Sequence, residues 1–462
     1  MLKTAEILTK LQPHQAAALK RALKNNLILA HSTGSGKTLT SIAIADALGK
    51  PTTVLTPASL VENFKKELTK HKKGGPSVDV LSLPTAVSRG YQIPEGNTLI
   101  IDEAHSLRNS GTARQQYIKD QLSRAGRIFA LTGTPAYNQI TDWAPLVNIV
   151  AKQHIIPEDS GSFRKKYIKE TVVTPSWYDR VFHGVKPGVV ESLKNGEDLK
   201  RRISPYVDVF DVDIEKPRRI DQDIHVQMSP DQQDIYRTVM NKMPRGLAAK
   251  IKKNMPPSKT EAQQLNAFLS GVRQVSNTPE GYSVGAETGE KIKEAVRNLV
   301  KAVKENRDMR ALVYSNYLES GVDSYAKRLD DAGVPYGKYT GALTQKQKKE
   351  LVDQFNSGKL PVLLASGSGS EGLDLKGTRL IQILEPHWND SRIDQVIGRG
   401  IRYKSHSHLP KDQQNVTVQR YFSDLPSSGW LSSTKNTSVD NYLAARAKEK
   451  ADLINQVKKI FT

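Results

Sequence analysis

Short runs of aliphatic residues, each closed at once by polar or glycine-containing segments, divide the first third of the chain. The runs at 27–30, 53–56, 98–101 and 128–131 are followed by HSTGSGKT, PASLVENF, DEAH and TGTP. Runs this short and rich in Val, Ile and Leu predict strands buried on both faces, and the amphipathic stretches between them predict helices. The alternation is that of an α/β fold with parallel sheets. A second series, at 311–315, 361–366, 379–385 and 416–422, predicts a second sheet of similar kind. Open parallel sheets bind ligands just beyond the carboxyl ends of their strands. The four polar segments of the first series are therefore expected to converge on one crevice.

Between the two series, at about 150–305, the pattern turns mixed and basic, with PRR at 217–219 and KIKK at 250–253. This stretch predicts a hinge with helical insertions. With 462 residues the chain is too long for one ordinary core, so two domains are expected. They are placed at 1–205 and 206–462, the second carrying a helical insertion at about 228–305 and a C-terminal tail.

Composition narrows the partners. Sixty-eight basic residues against 48 acidic ones give a formal charge of +20. Such an excess either keeps the surface solvated or attracts a polyanion, nucleic acid first, because neutralised phosphates release counterions. With 37% hydrophobic and 25% charged residues, wholesale disorder is not expected. There is no cysteine, which excludes disulfides, thiol catalysis and Cys-ligated zinc and fits an intracellular setting. MLKTAEILTKLQ is too polar for a secretory signal, and no apolar run is long enough for a membrane-spanning helix. No membrane partner is expected.

The chemistry starts at 31–38. Ser32, Thr33, Gly34, Ser35, Gly36, Lys37 and Thr38 lie between a predicted strand and a helix predicted at 37–48. That is the context of a phosphate-binding loop: glycines let backbone N–H groups turn toward phosphate oxygens, and the helix N-terminus adds partial positive charge. Lys37 can reach the β- and γ-phosphates, and the Thr38 hydroxyl can ligand Mg²⁺. The usual pattern begins with glycine, where this chain has His31. The run at 98–101 leads straight into Asp102 and Glu103. One carboxylate at a strand end can hold the metal through water, and its neighbour can polarise an attacking water. Loop and acidic pair together predict a Mg²⁺-dependent nucleotide hydrolase.

With these residues the chain resembles the superfamily 2 helicase-type ATPases. LQPHQ at 11–15, PASLVENF at 57–64, LTGTP at 131–135 and QVIGRGIR at 395–402 are similar to that superfamily's motifs. DEAHSLRNSGT, LTGTPAYNQITDWAPLVNIV, GVRQVSNTP and YTGALTQKQKKELVDQFNSG resemble the Snf2-like branch. EPHWNDSRIDQVIGRGIRYKSH at 385–406 resembles its compact virus- or phage-encoded members, of the nucleoside triphosphate phosphohydrolase I type. His31 departs from the pattern, and so does Asp374, where many Snf2-like proteins carry Asn. The second leaves open a closer tie to strand-separating helicases.

The resemblance implies two RecA-like lobes with ATP between them. It implies that Gln15 reads adenine, that Gly372 and Asp374 line the nucleotide, and that Arg399 and Arg402 reach the γ-phosphate, where developing charge needs neutralising. His105, Thr132, Gly133, Thr134 and Gln395 would couple hydrolysis to motion. Ser59 and Asn63 in the first lobe, and Ser315, Asn316 and Ser366 in the second, would hold nucleic acid by its phosphates. Trp388 reads either as a base-stacking wedge or as a buried aromatic. Lys250, Lys252 and Lys253 read either as a solvated face or as a wider duplex grip.

The expected function is an ATP-dependent DNA translocase or helicase acting on duplex, forked or branched DNA, with unwinding or branch migration among its outcomes. A transcription-associated viral ATPase that releases polymerase complexes stands beside it. So does a nucleic-acid-binding assembly subunit whose ATP site only switches conformation. The expected setting is intracellular, in the host cytoplasm if the chain is virus- or phage-encoded.

Overall fold

A computed structural model describes residues 9–32, 34–109, 111–133, 140–210, 217–306, 308–367, 373, 375–386, 390–401, 405–426 and 437–461. The chain forms two compact units. Unit 1 comprises Met1–Lys169, Ser192–Asp213 and Asp452–Thr462, and unit 2 comprises Glu170–Glu191 and Ile214–Ala451.

The first unit contains strands β1 (Leu27–His31), β2 (Thr52–Thr56), β3 (Val78–Ser82), β4 (Thr98–Ile101) and β5 (Arg127–Thr132). After the two-stranded pair β6 (Ile168–Val173) and β7 (Gly188–Leu193), β8 (Val207–Phe210) returns to the same sheet. Its order is β3-β2-β4-β5-β1-β8, parallel throughout. Alternate residues face two cores. Leu27, Leu29, Val54, Ile100 and Phe129 pack with Ile42, Ile44 and Phe64 on one side. Ile28, Leu55, Leu99, Ile101 and Ile128 pack with Leu146, Val147 and Val150 on the other. This is the doubly covered sheet that buried parallel strands require.

The second unit repeats the plan with β9 (Arg218–Gln227), β10 (Ala311–Ser315), β11 (Tyr336–Tyr339), β12 (Val362–Ser366), β13 (Leu380–Ile383) and β14 (Asn415–Asp424). Its order is β11-β12-β10-β13-β14-β9, again parallel. Helices Pro230–Met240, Arg245–Lys252 and Lys259–Asn277 form a separate apolar cluster around Met240, Leu247, Leu269 and Tyr442. The two parallel α/β sheets expected from the pattern are both present, consistent with the RecA-like lobes that the resemblance implies. Among the described residues no helix is long and apolar enough to cross a membrane.

The division of the chain differs from a single cut after residue 205. β8 hydrogen-bonds along β1, Ile28 opposite Val207 and His31 opposite Phe210, so it is part of the first sheet. The chain also lends 170–191 to the second unit and 452–462 to the first, which no linear boundary can capture.

Candidate nucleotide site and its surroundings

The carboxyl ends of β2, β4, β5 and β1 are adjacent, with Leu55 opposite Ile101, Ile101 opposite Ala130, and Thr132 opposite Ala30. Each strand therefore releases its polar segment on the same edge of the sheet. After β1 the chain turns through Gly34 (φ 88°) and Gly36 (φ 78°) into helix α1 (Lys37–Leu48). At Gly36 the left-handed conformation coincides with a close approach, since a Cβ there would collide with the Gln15 carboxamide. Lys37 Nζ donates to the carbonyls of His31 (2.8 Å) and Ser32 (3.2 Å), poised over the loop it would serve. Thr38 sits half-buried in the first turn of the helix, and Ser35 within the loop is buried. Thr33 lies outside the described residues.

Gln15, expected at the adenine, is buried and braces the loop. Its Nε2 donates to the carbonyls of Ser35 (3.2 Å) and Gly36 (3.4 Å), while its Oε1 accepts from Gln12 N–H (2.9 Å). His31 is fully buried, and its Nε2 lies 2.7 Å from Asp208 Oδ2 on β8. Arg21 Nη1 holds the other carboxylate oxygen at 2.6 Å. Burial pushes the Asp208 carboxyl up, but hydrogen bonds and charge from His31 and Arg21 outweigh it, leaving the group below its ordinary range. His14 completes the cluster, its ring stacked on Phe210 at 3.9 Å and its Nε2 2.9 Å from Ser35 O. His31 stood out in the sequence only as a departure from glycine; nothing in the spacing pointed to Asp208, 177 residues away.

The acidic pair closes the other side. Thr56 Oγ1 donates to Asp102 Oδ2 (2.9 Å), and Glu103 N–H donates to Asp102 Oδ1 (2.9 Å). Burial and the neighbouring Glu103 charge push the Asp102 carboxyl above its ordinary range, and Thr56, the Glu103 amide and Lys37 offset this only in part. Glu103 takes φ 48°, a backbone state that costs a non-glycine residue energy and is tolerated where surroundings enforce it. His105 Nδ1 lies 3.1 Å from Glu103 Oε2, near enough for an ion pair when protonated but angled away from a hydrogen bond. Thr132 is buried at the end of β5, and Gly133 is half-buried beside it; Thr134 lies outside the described residues.

Asp102 and Thr38 suit a hard divalent cation, which prefers oxygen donors. Among the described residues no group of three or more His, Asp or Glu could hold a metal. A cation held by these two oxygens would take further ligands from phosphate and water, as Mg²⁺ does. Its charge would relieve the burial and repulsion that disfavour ionised Asp102.

Ser59 and Asn63 are exposed just beyond β2, on the turn Ala58–Leu60 and in the following helix. The second unit treats its expected phosphate contacts differently. Ser315 is buried, its Oγ 2.5 Å from Glu385 Oε1. Asn316 donates its backbone N–H (2.8 Å) and Nδ2 (3.2 Å) to Glu385 Oε2, and Asn277 Nδ2 donates to Oε1. These donors satisfy a buried carboxylate instead of facing solvent. Ser366, buried at the end of β12, pairs in register with Ser315. Gln395 and Arg399 belong to the helix Asp390–Gly400, but their side chains, and residues Gly372, Asp374, Trp388 and Arg402, lie outside the described residues.

The basic run needs correction. Lys250 is wholly buried and pairs with Glu261 at 2.6 Å, and Lys253 pairs with buried Asp179. Only Lys252 and Lys253 reach the surface. Lys250 is neither a solvated charge nor a duplex grip, because its ammonium is committed to an internal carboxylate.

Comparison with known proteins agrees with this geometry. Residues 81–281 match the SNF2-related domain, 291–404 the helicase conserved C-terminal domain, and 8–81 the type III restriction enzyme res subunit. A protein of Acanthamoeba polyphaga mimivirus named as an ATP-dependent RNA helicase is 31% identical over 97% of this chain and 96% of its own length. A termination factor NPH-I homolog of African swine fever virus is 24% identical over 92% of this chain and 74% of its own. The Hef helicase domain of Pyrococcus furiosus shares the fold, with a TM-score of 0.52 at 14% identity, over 90% of this chain and 96% of that one. From the phosphate loop to the helicase C-terminal segment, the chain belongs to the Snf2-like branch of the superfamily 2 helicases and is a nucleic-acid-dependent ATPase with viral relatives.

Proposed function

We propose that the chain couples Mg²⁺-dependent ATP hydrolysis to movement along DNA. The observation that carries this reading is the shared strand edge in unit 1, where the phosphate loop, the acidic pair and the exposed Ser59 and Asn63 leave neighbouring strands. Lys37 neutralises the terminal phosphates, Gln15 braces the loop against adenine, and Glu103 orients the attacking water. Thr38 and Asp102 would hold Mg²⁺, which supplies charge to the phosphates when bound. Arg399 and Arg402 are assigned to the charge that develops on the γ-phosphate. Ser59 and Asn63 contact the nucleic-acid backbone, and a shift of the coupling segments around His105 and Thr132 changes that grip between nucleotide states.

The Snf2-related match supports DNA as the track, while the net charge of +20 suits a nucleic acid of either kind. The test is steady-state ATPase activity with duplex, single-stranded, forked and four-way DNA, and with RNA. Stimulation by RNA alone sinks the DNA reading, and no stimulation at all favours an ATP-switched assembly role. Lys37→Ala should abolish turnover; Glu103→Gln should bind ATP yet turn over slowly, and normal turnover there removes Glu103 as the water-orienting group. The relative named as a termination factor favours a second reading, release of transcription complexes, which a stalled-polymerase release assay separates from strand displacement.

A further inference from the structure

Opposite in character to the buried strand ends, the short helix Trp177–Phe182 presents four large apolar side chains to solvent. Trp177 is 65% exposed, Tyr178 52%, Val181 60% and Phe182 58%. The three rings are contiguous, Phe182 lying 6.0 Å edge-on from Trp177 and 4.8 Å from Tyr178. Solvent-facing aromatics grouped in this way mark an interaction surface, because isolated exposed residues are ordinary and contiguous ones are not.

The helix is clamped in place. Asp179, its one buried residue, accepts from Lys253 Nζ and lies 2.6 Å from Ser176 Oγ. Val185 N–H returns to Asp179 O at 3.1 Å. Gly246 packs so closely that a Cβ there would lie 2.7 Å from Gly184 O. One face is thus pinned to the helix Arg245–Lys252 while the rings stand outward. Lys253, from the basic run, serves as part of this clamp.

The charge around the rings selects the occupant. Between 171 and 190 the only carboxylate is Asp179, already neutralised by Lys253, while Arg180 and Lys186 are exposed. Aromatic faces beside the exposed cations Arg180 and Lys186 suit a polyanion with flat rings of its own. We propose that Trp177, Tyr178 and Phe182 form a second nucleic-acid site, on which unpaired bases stack while Arg180 and Lys186 meet the phosphates. The proposal rests on the nucleic-acid dependence of the family and not on the choice of DNA as track.

The experiment measures binding of a fluorescein-labelled oligothymidylate and an abasic strand of equal length by anisotropy, without ATP. The wild type should prefer the base-bearing strand. The combined variant Trp177→Ala, Tyr178→Ala, Phe182→Ala should lose about tenfold or more of that affinity, since each stacked base contributes substantially. It should bind the abasic strand as the wild type does, and its melting temperature should hold because the removed surface is exposed. In parallel, oligothymidylate should quench the intrinsic fluorescence of the wild type more than that of Trp177→Phe, which should retain most of the affinity. Unchanged affinity in the combined variant, or equal quenching in the two proteins, overturns the proposal and leaves the patch as a protein-docking surface. Because no ATP is present, a failure here is distinct from a failure of nucleic-acid-stimulated turnover.

Discussion

His31 Nε2 and Asp208 Oδ2 lie 2.7 Å apart, so the residue standing in place of the loop's first glycine is tied to the edge strand β8. Phe210 O accepts from Ser32 N–H at 2.9 Å on the same strand. The departure from the usual pattern is therefore compensated by a polar anchor beneath the loop. His31→Ala should leave Asp208 with Arg21 alone and open space under the loop. The expected cost is about 1–3 kcal/mol of stability, the scale of an abandoned buried partner, together with weaker nucleotide binding. Urea unfolding and nucleotide titration measure the two. Unchanged values in both would show that the anchor is idle.

Thr56 belongs to none of the sequence motifs, yet its hydroxyl donates to Asp102 and partly offsets the burial and Glu103 charge that hold this carboxyl above its ordinary value. Thr56→Val keeps the shape and removes the donor. A hydrogen bond to a charged group contributes about 1.5–3 kcal/mol, so the Mg²⁺ concentration for half-maximal ATPase should rise about tenfold or more. The Mg²⁺ dependence of turnover in the two proteins checks this; superimposable curves would remove Thr56 from the site.

What the sequence disclosed follows from burial. The eight aliphatic runs are the interior strands of the two sheets, largely covered on both faces and hence mostly apolar. The strands that escaped, β3, β8, β9 and β11, are the four sheet edges. β9 reads RRIDQDIHVQ, with no residue buried, because an edge needs polar residues to discourage further pairing. The phosphate loop and acidic pair were legible because their chemistry demands particular residues at fixed local spacing. The His31–Asp208 and Lys250–Glu261 pairs were not, since a charge in the sequence carries no mark of the partner that folding brings to it.

Ser315 and Ser59 carried the same expectation of phosphate contact, and their surroundings now separate them. Ser315→Ala deprives buried Glu385 of a donor. It should cost about 1–3 kcal/mol in stability, with nucleic-acid affinity unchanged. Ser59→Ala combined with Asn63→Ala removes two exposed groups. It should leave stability unchanged and weaken binding about tenfold, the effect of two hydrogen bonds of about 0.5–1.5 kcal/mol each. Urea unfolding and anisotropy on both variants give the comparison. A binding loss in Ser315→Ala at unaltered stability would restore it as a phosphate contact.

Glu261 links the second unit's stability to pH. Burial pushes its carboxyl up, but the hydrogen bond from Lys250 and those from Ser258 prevail, so its pKa in the fold lies below the ordinary value. A carboxyl depressed in this way binds its proton more readily when unfolded. Its contribution is complete above the unfolded value of about 4.3 and is lost as pH falls through the lower folded value. Glu261→Gln strands a buried ammonium and should cost about 3–5 kcal/mol at neutral pH. The gap in melting temperature between wild type and variant should stay constant from pH 7 to about 5, then narrow as pH falls further. Thermal unfolding across that range measures it. A gap that widened in acid would mean that Glu261 gains, rather than loses, its hold on Lys250 when protonated, contrary to the sign of the shift.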